Sequence, residues 1–247
     1  MDYSYSRRDF LKKSGKTAAG VGAATLAGPA VLRSLGANET IRAGFVGVGI
    51  RGNFLLTNTL KDLPEVRVVG ICDAYQGYLK RAVDRVTAAG QPAPEVFGDY
   101  RALLDSKNID AVVIATPEHW HHRMVLDTLA ANKDLYIEKA LTHTVKEGED
   151  LLKAAQNSKS VVQVGTQRRS SPVYRKAREM YQAGMLGKVT TVRAHWYRNT
   201  LKPQWRYTIP ADASPQTCNW EAFLGPARKR PFDAARMFQW RLYWDYS

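Results

Sequence analysis

A glycine-rich turn directly after an apolar run constrains this chain more than any other feature. Residues 41–56 read I-R-A-G-F-V-G-V-G-I-R-G-N-F-L-L, so a strand-like segment leads into Gly47-x-Gly49-x-x-Gly52 and then into a helix-forming stretch. The three glycines have separate tasks. Gly47 allows a tight turn, Gly49 lets the backbone approach a pyrophosphate, and Gly52 permits close packing of helix on strand. The N–H groups at the start of that helix would face the phosphates.

A carboxylate follows the next strand at the spacing expected for a dinucleotide site. The run V-R-V-V-G-I-C at 66–72 ends at Asp73, 21 residues after Gly52. An acid there is placed to bond the ribose 2′-hydroxyl and would repel a 2′-phosphate, which favours NAD over NADP. Ile50 and Arg51 belong to the same predicted cofactor site, and Arg51 is the feature that leaves room for NADP.

The remaining sequence to about residue 168 alternates short apolar runs with amphipathic stretches. This alternation predicts a doubly wound parallel α/β sheet covered on both faces, with ligands at the carboxyl ends of its strands. The predicted helices span 76–88, 99–105, 119–132 and 144–158, and the predicted strands lie near 96–97 and at 110–115, 134–138 and 161–165.

The motifs at these strand ends resemble one family. They read A-T-P-E-H-W-H-H at 115–122, Y-I-E-K-A-L-T-H at 136–143, V-G-T-Q-R-R at 164–169 and L-G-K-V at 186–189. Together they are similar to the glucose-fructose oxidoreductase, inositol dehydrogenase and rhizopine catabolism (Gfo/Idh/MocA) family over residues 41–247. The resemblance implies a dinucleotide-binding Rossmann domain at 38–168, followed at 169–247 by the start of an antiparallel-sheet substrate domain.

The resemblance also implies roles for individual residues. Thr116, Pro117 and His119 would lie along the nicotinamide side of the dinucleotide. Glu138 and Lys139 would contact nicotinamide, ribose and substrate, with Gln167 as a further contact. Lys139 would be the catalytic residue. The family usually has proline after this lysine, whereas this chain has Ala140, which we expect to loosen Lys139.

The chemistry of Lys139 is reasonable from the residues alone. Oxidising a hydroxyl removes a proton from oxygen while a hydride leaves carbon, and a lysine beside the nicotinamide can bond and polarise that oxygen. The structural alternative is an ordinary charged pair, Glu138 and Lys139, at a strand end.

Other site classes find less support in the sequence. His119 and His122 would share a helix face, but no third ligand stands at a recognisable spacing, so no metal site is predicted. Two cysteines, Cys72 and Cys218, exclude a disulfide framework and a four-cysteine zinc site.

The net charge of +13 is typical of proteins that bind nucleic acid, but this charge is distributed unevenly along the chain. Residues 1–34 carry +4, residues 35–164 carry −1 and residues 165–247 carry +10. Since no basic helix, zinc finger or RNA-binding motif accompanies this charge, no nucleic-acid partner is predicted. The basic patches at 168–169 and 228–230 could instead meet an anionic ligand or surface.

The first residues resemble a twin-arginine export signal. Arg7-Arg8 and Phe10-Leu11 precede an uncharged, glycine- and alanine-rich stretch from residue 17 to 32. That stretch is shorter than the roughly twenty residues that cross a bilayer. We therefore expect residues 1–37 to lie outside the fold and the protein to be exported to the periplasm by the twin-arginine machinery. Such export carries folded proteins, which suits a tightly retained cofactor.

After residue 170 the pattern becomes irregular and aromatic. A helix is predicted at 172–183 and a strand at 189–197. Five of the six tryptophans lie beyond residue 195 and could stack on sugar rings or pack a sheet. In the family, an Asp and a His that complete the catalytic set come later than residue 247. We therefore expect a C-terminally truncated chain, and a homo-oligomer if the protein is full length.

Three functions remain open from the sequence. The first is an NAD(P)-dependent oxidoreductase acting on a sugar, cyclitol or related polyol. The second is a glycosidase that uses transient oxidation of a sugar carbon, as in glycoside hydrolase family 109. The third is a non-catalytic dinucleotide-binding remnant. The product, an oxidised sugar or a cleaved glycoside, distinguishes the first two.

Overall fold

The computed structural model describes residues 40–197, 201 and 204–247. The predicted signal segment, residues 1–37, lies outside the described residues. Among the described helices, none has both the length and the apolar character needed to cross a membrane.

Six parallel strands form one sheet in the order β3-β2-β1-β4-β5-β6. This order reverses direction between β1 and β4, which is the place where doubly wound sheets open a crevice for ligands. The predicted fold class is confirmed for this part of the chain. The strands are β1 (Ile41–Val46), β2 (Val66–Cys72), β3 (Glu95–Phe97), β4 (Ala111–Ile114), β5 (Asp134–Glu138) and β6 (Val162–Gly165).

Helices connect the strands and cover both faces of the sheet. They are α1 (Ile50–Asp62), α2 (Gln76–Ala88), α3 (Tyr100–Asp105), α4 (His121–Ala130), α5 (Val145–Gln156) and α6 (Pro172–Gln182). Local sequence sets their starts. Thr144 and Glu147 form a capping box at the start of α5, and the Asp99 carboxylate caps α3. The predicted helix 119–132 begins as a 3₁₀ turn, Glu118–Trp120, before α4.

Two apolar clusters occupy the two faces of the sheet. Phe45, Leu56 and Val86 belong to the cluster on the side of α1 and α2. Leu103 and Leu129 belong to the cluster beneath α3, α4 and α5. Burial on both faces explains why the strands read as continuous apolar runs rather than as alternating patterns.

The predicted strand at 189–197 is wrong. The structure gives these residues no regular secondary structure, and Val192 and Tyr197 are largely exposed. A strand needs a neighbouring ladder for its backbone groups, and none of the described strands comes after β6. The helix predicted at 172–183 is confirmed as α6, although none of its residues is buried.

Residues 204–247 fold back against the end of β2. Short helices α7 (Trp220–Leu224) and α8 (Ala234–Phe238) contribute to a third apolar cluster that also contains Tyr75. Backbone bonds fix this contact, since Asn219 donates to the Ala74 carbonyl at 2.7 Å and Gln76 donates to the Thr217 carbonyl at 3.0 Å. The predicted domain boundary at 168–169 stays a prediction.

Candidate functional site

A cavity of about 710 Å³ opens at the carboxyl ends of the strands. Ligand pockets of this size are typical for drug-sized molecules and cofactors. The cavity is lined by most of the residues that the sequence predicts: Gly47, Gly49, Ile50, Arg51, Asp73, Thr116, Pro117, Glu138, Lys139 and Gln167. Gly52 and His119 are the predicted residues outside this lining.

A side chain would not fit at Gly47 or Gly52 in the glycine turn. Gly47 has φ +81°, and a Cβ there would lie 2.8 Å from the backbone of Ala115. A Cβ on Gly52 would lie 1.8 Å from the Gly47 carbonyl oxygen. Gly52 therefore lets the first turn of α1 pack closely on the glycine turn, while Gly49 caps α1 without a side chain between the backbone and the cavity. The first N–H groups of α1 have no intrahelical acceptors and suit a pyrophosphate.

Asp73 is held by backbone donors at the end of β2. Its Oδ2 accepts a bond from the Val48 N–H at 2.7 Å, and its Oδ1 accepts one from the Tyr75 N–H at 2.9 Å. Burial raises the pKa of Asp73 to about 6, although these N–H groups and the Arg81 guanidinium act in the opposite direction. The carboxylate therefore lies beside the glycine turn, where ribose hydroxyls would meet it.

Arg51 contacts Glu138 within the lining of the cavity. Its Nε and Nη2 lie 2.8 and 2.7 Å from Oε1 of Glu138, a side chain that is only 8% exposed. The Tyr136 hydroxyl donates to the same oxygen at 3.1 Å. Burial and the nearby Glu138 carboxylate raise the pKa of Tyr136, so its hydroxyl remains a donor.

Lys139 follows Glu138 and enters the cavity from the end of β5. Its Nζ lies 3.9 Å from Oε1 of Glu118, and the lysine side chain is 51% exposed whereas that of Glu118 is 10% exposed. The Ser247 hydroxyl donates to the other oxygen of Glu118 at 3.1 Å. An amine with this exposure can reach a substrate hydroxyl, and the buried Glu118 carboxylate lies beside the amine.

Two histidines, His119 and His121, follow the end of β4. His119 does not line the cavity: its Nε2 lies 2.9 Å from the Phe223 carbonyl oxygen, and burial lowers its pKa to about 4. His121 is fully buried, with its ring nitrogens 2.5 Å from the Ala140 carbonyl oxygen and 3.1 Å from that of Thr116. His121 thereby ties the end of β4 to the residue after Lys139.

No group of three His, Cys, Asp or Glu side chains among the described residues is arranged to hold a metal ion. His122, the other histidine of the helix-face pair, lies 3.8 Å from the Asp150 carboxylate.

The C-terminal segment supplies a wall of the cavity that sequence reasoning did not place. Phe223, Trp240 and Arg241 line it, and the Arg241 guanidinium lies 4.0 Å from the Trp240 ring centre. Trp120 and His119 both contact the Phe223 carbonyl oxygen, which joins this segment to the end of β4. Such long-range contacts leave no spacing signal in the sequence.

A second missed set surrounds Asp73 and the glycine turn. Tyr75 and Tyr78 line the cavity, and Arg81 donates to the Val48 carbonyl at 2.8 Å while stacking 4.5 Å from the centre of the Tyr78 ring. Glu118 stands inside the A-T-P-E motif, and its position directly after a strand end is the signal that could have identified it.

Residues 41–166 match the sequence model of one protein family, GFO_IDH_MocA, which is described as an oxidoreductase family with an NAD-binding Rossmann fold. The chain belongs to this family. The predicted resemblance is confirmed, and the doubly wound sheet of this GFO_IDH_MocA protein is an NAD-binding Rossmann fold.

Two kinds of protein are similar to this family member. Glycosyl hydrolase family 109 protein 1 of Shewanella sp. (strain ANA-3) is 33% identical over 63% of this chain and 38% of its own length. The alpha-N-acetylgalactosaminidase of Shewanella oneidensis is 32% identical over the same shares. Scyllo-inositol dehydrogenase from Lactobacillus casei, with bound NAD(H) and scyllo-inositol, superposes with a TM-score of 0.56 at 26% identity, over 61% of this chain and 43% of that one. The chain thus spans about two fifths of the length of these relatives.

The residues present fit NAD. The glycine turn leaves its backbone open to the cavity, the first turn of α1 offers N–H donors, and Asp73 presents a carboxylate where a ribose would lie. Arg51, the residue that suggested NADP, is engaged by Glu138 instead. The family and its NAD-binding fold confirm the predicted cofactor, NAD.

The raised pKa of Asp73 predicts how cofactor preference changes with pH. Above about pH 6 the ionised carboxylate repels a 2′-phosphate, and below that pH the neutral acid does not. We expect the ratio of the NADPH to the NADH dissociation constant to fall about tenfold between pH 7.5 and pH 5, measured by quenching of tryptophan fluorescence. Asp73→Asn is the control for titration of the phosphate itself. If the mutant ratio changes with pH as much as the unmutated one, Asp73 does not set the preference.

Proposed function

We propose that this protein is an NAD-dependent oxidoreductase acting on a sugar, cyclitol or related polyol. The observation that carries this proposal is the position of Lys139, whose Nζ enters the same cavity as the glycine turn and Asp73 and lies 3.9 Å from Glu118. The inositol dehydrogenases among its structural neighbours support a polyhydroxylated substrate.

The residues of the cavity would have separate roles in such an oxidation. Bound NAD would supply the hydride acceptor. Lys139 would bond the substrate hydroxyl and assist removal of its proton, so that the alcohol loses a hydride from carbon and a proton from oxygen. Glu118 would balance the charge of Lys139, and Glu138, paired with Arg51, would orient a neighbouring hydroxyl.

A glycosidase is the second candidate, since the curated relatives at 32–33% identity carry family 109 and alpha-N-acetylgalactosaminidase names. In that reaction a sugar carbon is oxidised, the glycosidic bond is broken, and the carbon is reduced again. The same cavity and lysine would serve, and NAD would be regenerated in every turnover.

Product analysis decides between the two. The native protein is incubated with added NAD⁺ and a panel of inositols and sugars and, separately, with an aryl α-N-acetylgalactosaminide. The oxidoreductase predicts a ketone or lactone product with one NADH formed per oxidised molecule. The glycosidase predicts a released aryl alcohol without net NADH. If the protein binds NAD but forms neither product, both candidates are contradicted. That result would support a non-catalytic dinucleotide-binding protein.

We further propose that the protein is exported to the periplasm by the twin-arginine machinery and retains its cofactor there. The Arg7-Arg8 pair and the uncharged stretch after it support export. Replacing both arginines with lysine is expected to leave the protein in the cytoplasmic fraction, and unchanged fractionation would contradict this. The proposed homo-oligomer has its support in the family resemblance and in exposed apolar side chains of α6 such as Val173 and Tyr181.

A further inference from the structure

We propose that Arg51 is a positioning residue that works through Glu138, rather than a receptor for a cofactor 2′-phosphate. The two side chains come from different elements, since Arg51 lies in the first turn of α1 and Glu138 ends β5. The inference rests on the proposed function, because it assigns a role within the NAD site.

The geometry of the pair fixes one carboxylate oxygen and leaves the other free. Oε1 of Glu138 receives Nε and Nη2 of Arg51 and the hydroxyl of Tyr136. No donor among the described residues reaches Oε2 of Glu138, and Glu138 lines the cavity. Three donors on one oxygen hold the plane of the carboxylate, so Oε2 is presented to a ribose or substrate hydroxyl in one orientation.

Burial makes this arrangement dependent on the arginine. The Glu138 side chain is 8% exposed, and the Glu118 carboxylate lines the same cavity at 10% exposure. A carboxylate this buried requires a compensating charge. Lys139 faces Glu118, while Arg51 makes a two-nitrogen contact with Glu138. Each buried acid therefore has its own cation.

The same contact removes Arg51 from the choice between NAD and NADP. A guanidinium that donates through Nε and Nη2 to a buried carboxylate would have to break both bonds to turn toward a 2′-phosphate. Discrimination then depends on Asp73, which stands beside the glycine turn at the end of β2.

A double-mutant cycle on NADH and NADPH binding tests this assignment. Arg51→Met, Glu138→Gln and the double variant are compared with the unmutated protein by fluorescence titration. We expect each single change to weaken NADH about tenfold and the double variant to be no weaker than the worse single one, because both remove one interaction. The ratio of NADPH to NADH affinity should stay within about twofold in Arg51→Met.

Two results would overturn the assignment. Multiplicative losses of about a hundredfold in the double variant would mean that Arg51 and Glu138 contact the cofactor independently. A selective loss of NADPH binding in Arg51→Met would make Arg51 a phosphate receptor. Arg51→Lys provides a second variant should Arg51→Met fail to fold, and we expect it to restore part of the NADH affinity because it keeps a cation beside Glu138.

A control separates this role from general stability. Arg42 makes a more exposed two-nitrogen pair with Asp110, its shorter contact at 2.6 Å, where β1 begins and away from the carboxyl ends of the strands. Arg42→Met should leave NADH affinity unchanged. If the unmutated protein binds no dinucleotide, the proposed function fails, yet the same cycle read by melting temperature still shows whether Arg51 acts through Glu138. Additive melting-temperature changes would reject the coupling.

Discussion

Replacing Lys139 with methionine is expected to reduce turnover by about a thousandfold while leaving NADH affinity within about threefold of the unmutated protein. The lysine side chain is half exposed within the cavity and faces Glu118 at 3.9 Å, so its removal takes away the group that assists proton transfer. Steady-state rates with the substrate identified by product analysis, together with fluorescence titration of NADH, measure the two quantities.

Lys146→Met is the matched control for this change. Lys146 lies on the exposed face of α5 and pairs with Asp150 at 2.7 Å, so we expect its replacement to leave the rate unaltered. A Lys139→Met protein that keeps more than a tenth of the original rate would show that another group removes the substrate proton.

Replacing Gly52 with alanine is expected to have the second large effect, on folding and cofactor binding together. The new methyl group would lie 1.8 Å from the Gly47 carbonyl oxygen, and since that atom is backbone, α1 must move away from the glycine turn. We expect a loss of about 3 kcal/mol in the free energy of unfolding, a fall of about 6–12 °C in melting temperature and at least a hundredfold weaker NADH binding.

Gly148→Ala is the control for the glycine substitution. Gly148 lies within α5, where a Cβ would meet only Thr142 Oγ1 at 3.9 Å. Alanine is the better helix former, so this change should stabilise the protein by about 0.5–1 kcal/mol. Equal melting temperatures for the Gly52→Ala and unmutated proteins would contradict the packing role of Gly52.

The sheet can be predicted from the amino-acid sequence because its signals are local. Each strand is a short apolar run, each helix start carries its own signal, and the positions after the strands converge by topology. These signals alone assign Gly47, Asp73 and Lys139 to one edge of the sheet. All three lie around one cavity in the folded protein.

The predictions that differ from the structure depend on contacts between distant residues. The strand expected at 189–197 needs a neighbouring strand, and the described residues provide none. The rings of His119 and His121 are likewise placed by residues distant along the chain. His119 contacts the carbonyl oxygen of Phe223, more than a hundred residues away, and His121 contacts that of Ala140.

The side-chain partner of Arg51 likewise has no signal in the sequence. Arg51 stands in a glycine motif where a cation suggests a phosphate, whereas its partner Glu138 is 87 residues away. The wall formed by Phe223 and Trp240 is also set by a chain segment that returns to the end of β2. Motif spacing identifies neighbours along the chain but not these contacts.

We expect this chain to bind NAD(H) at the carboxyl ends of β1 and β2, and the nucleotide carried by the native protein shows whether it does. The protein is purified without added cofactor and denatured, and the released nucleotides are identified and quantified. We predict close to one NAD(H) per chain, with no comparable NADP(H). A protein that releases no dinucleotide and also fails to bind added NADH would contradict the claim.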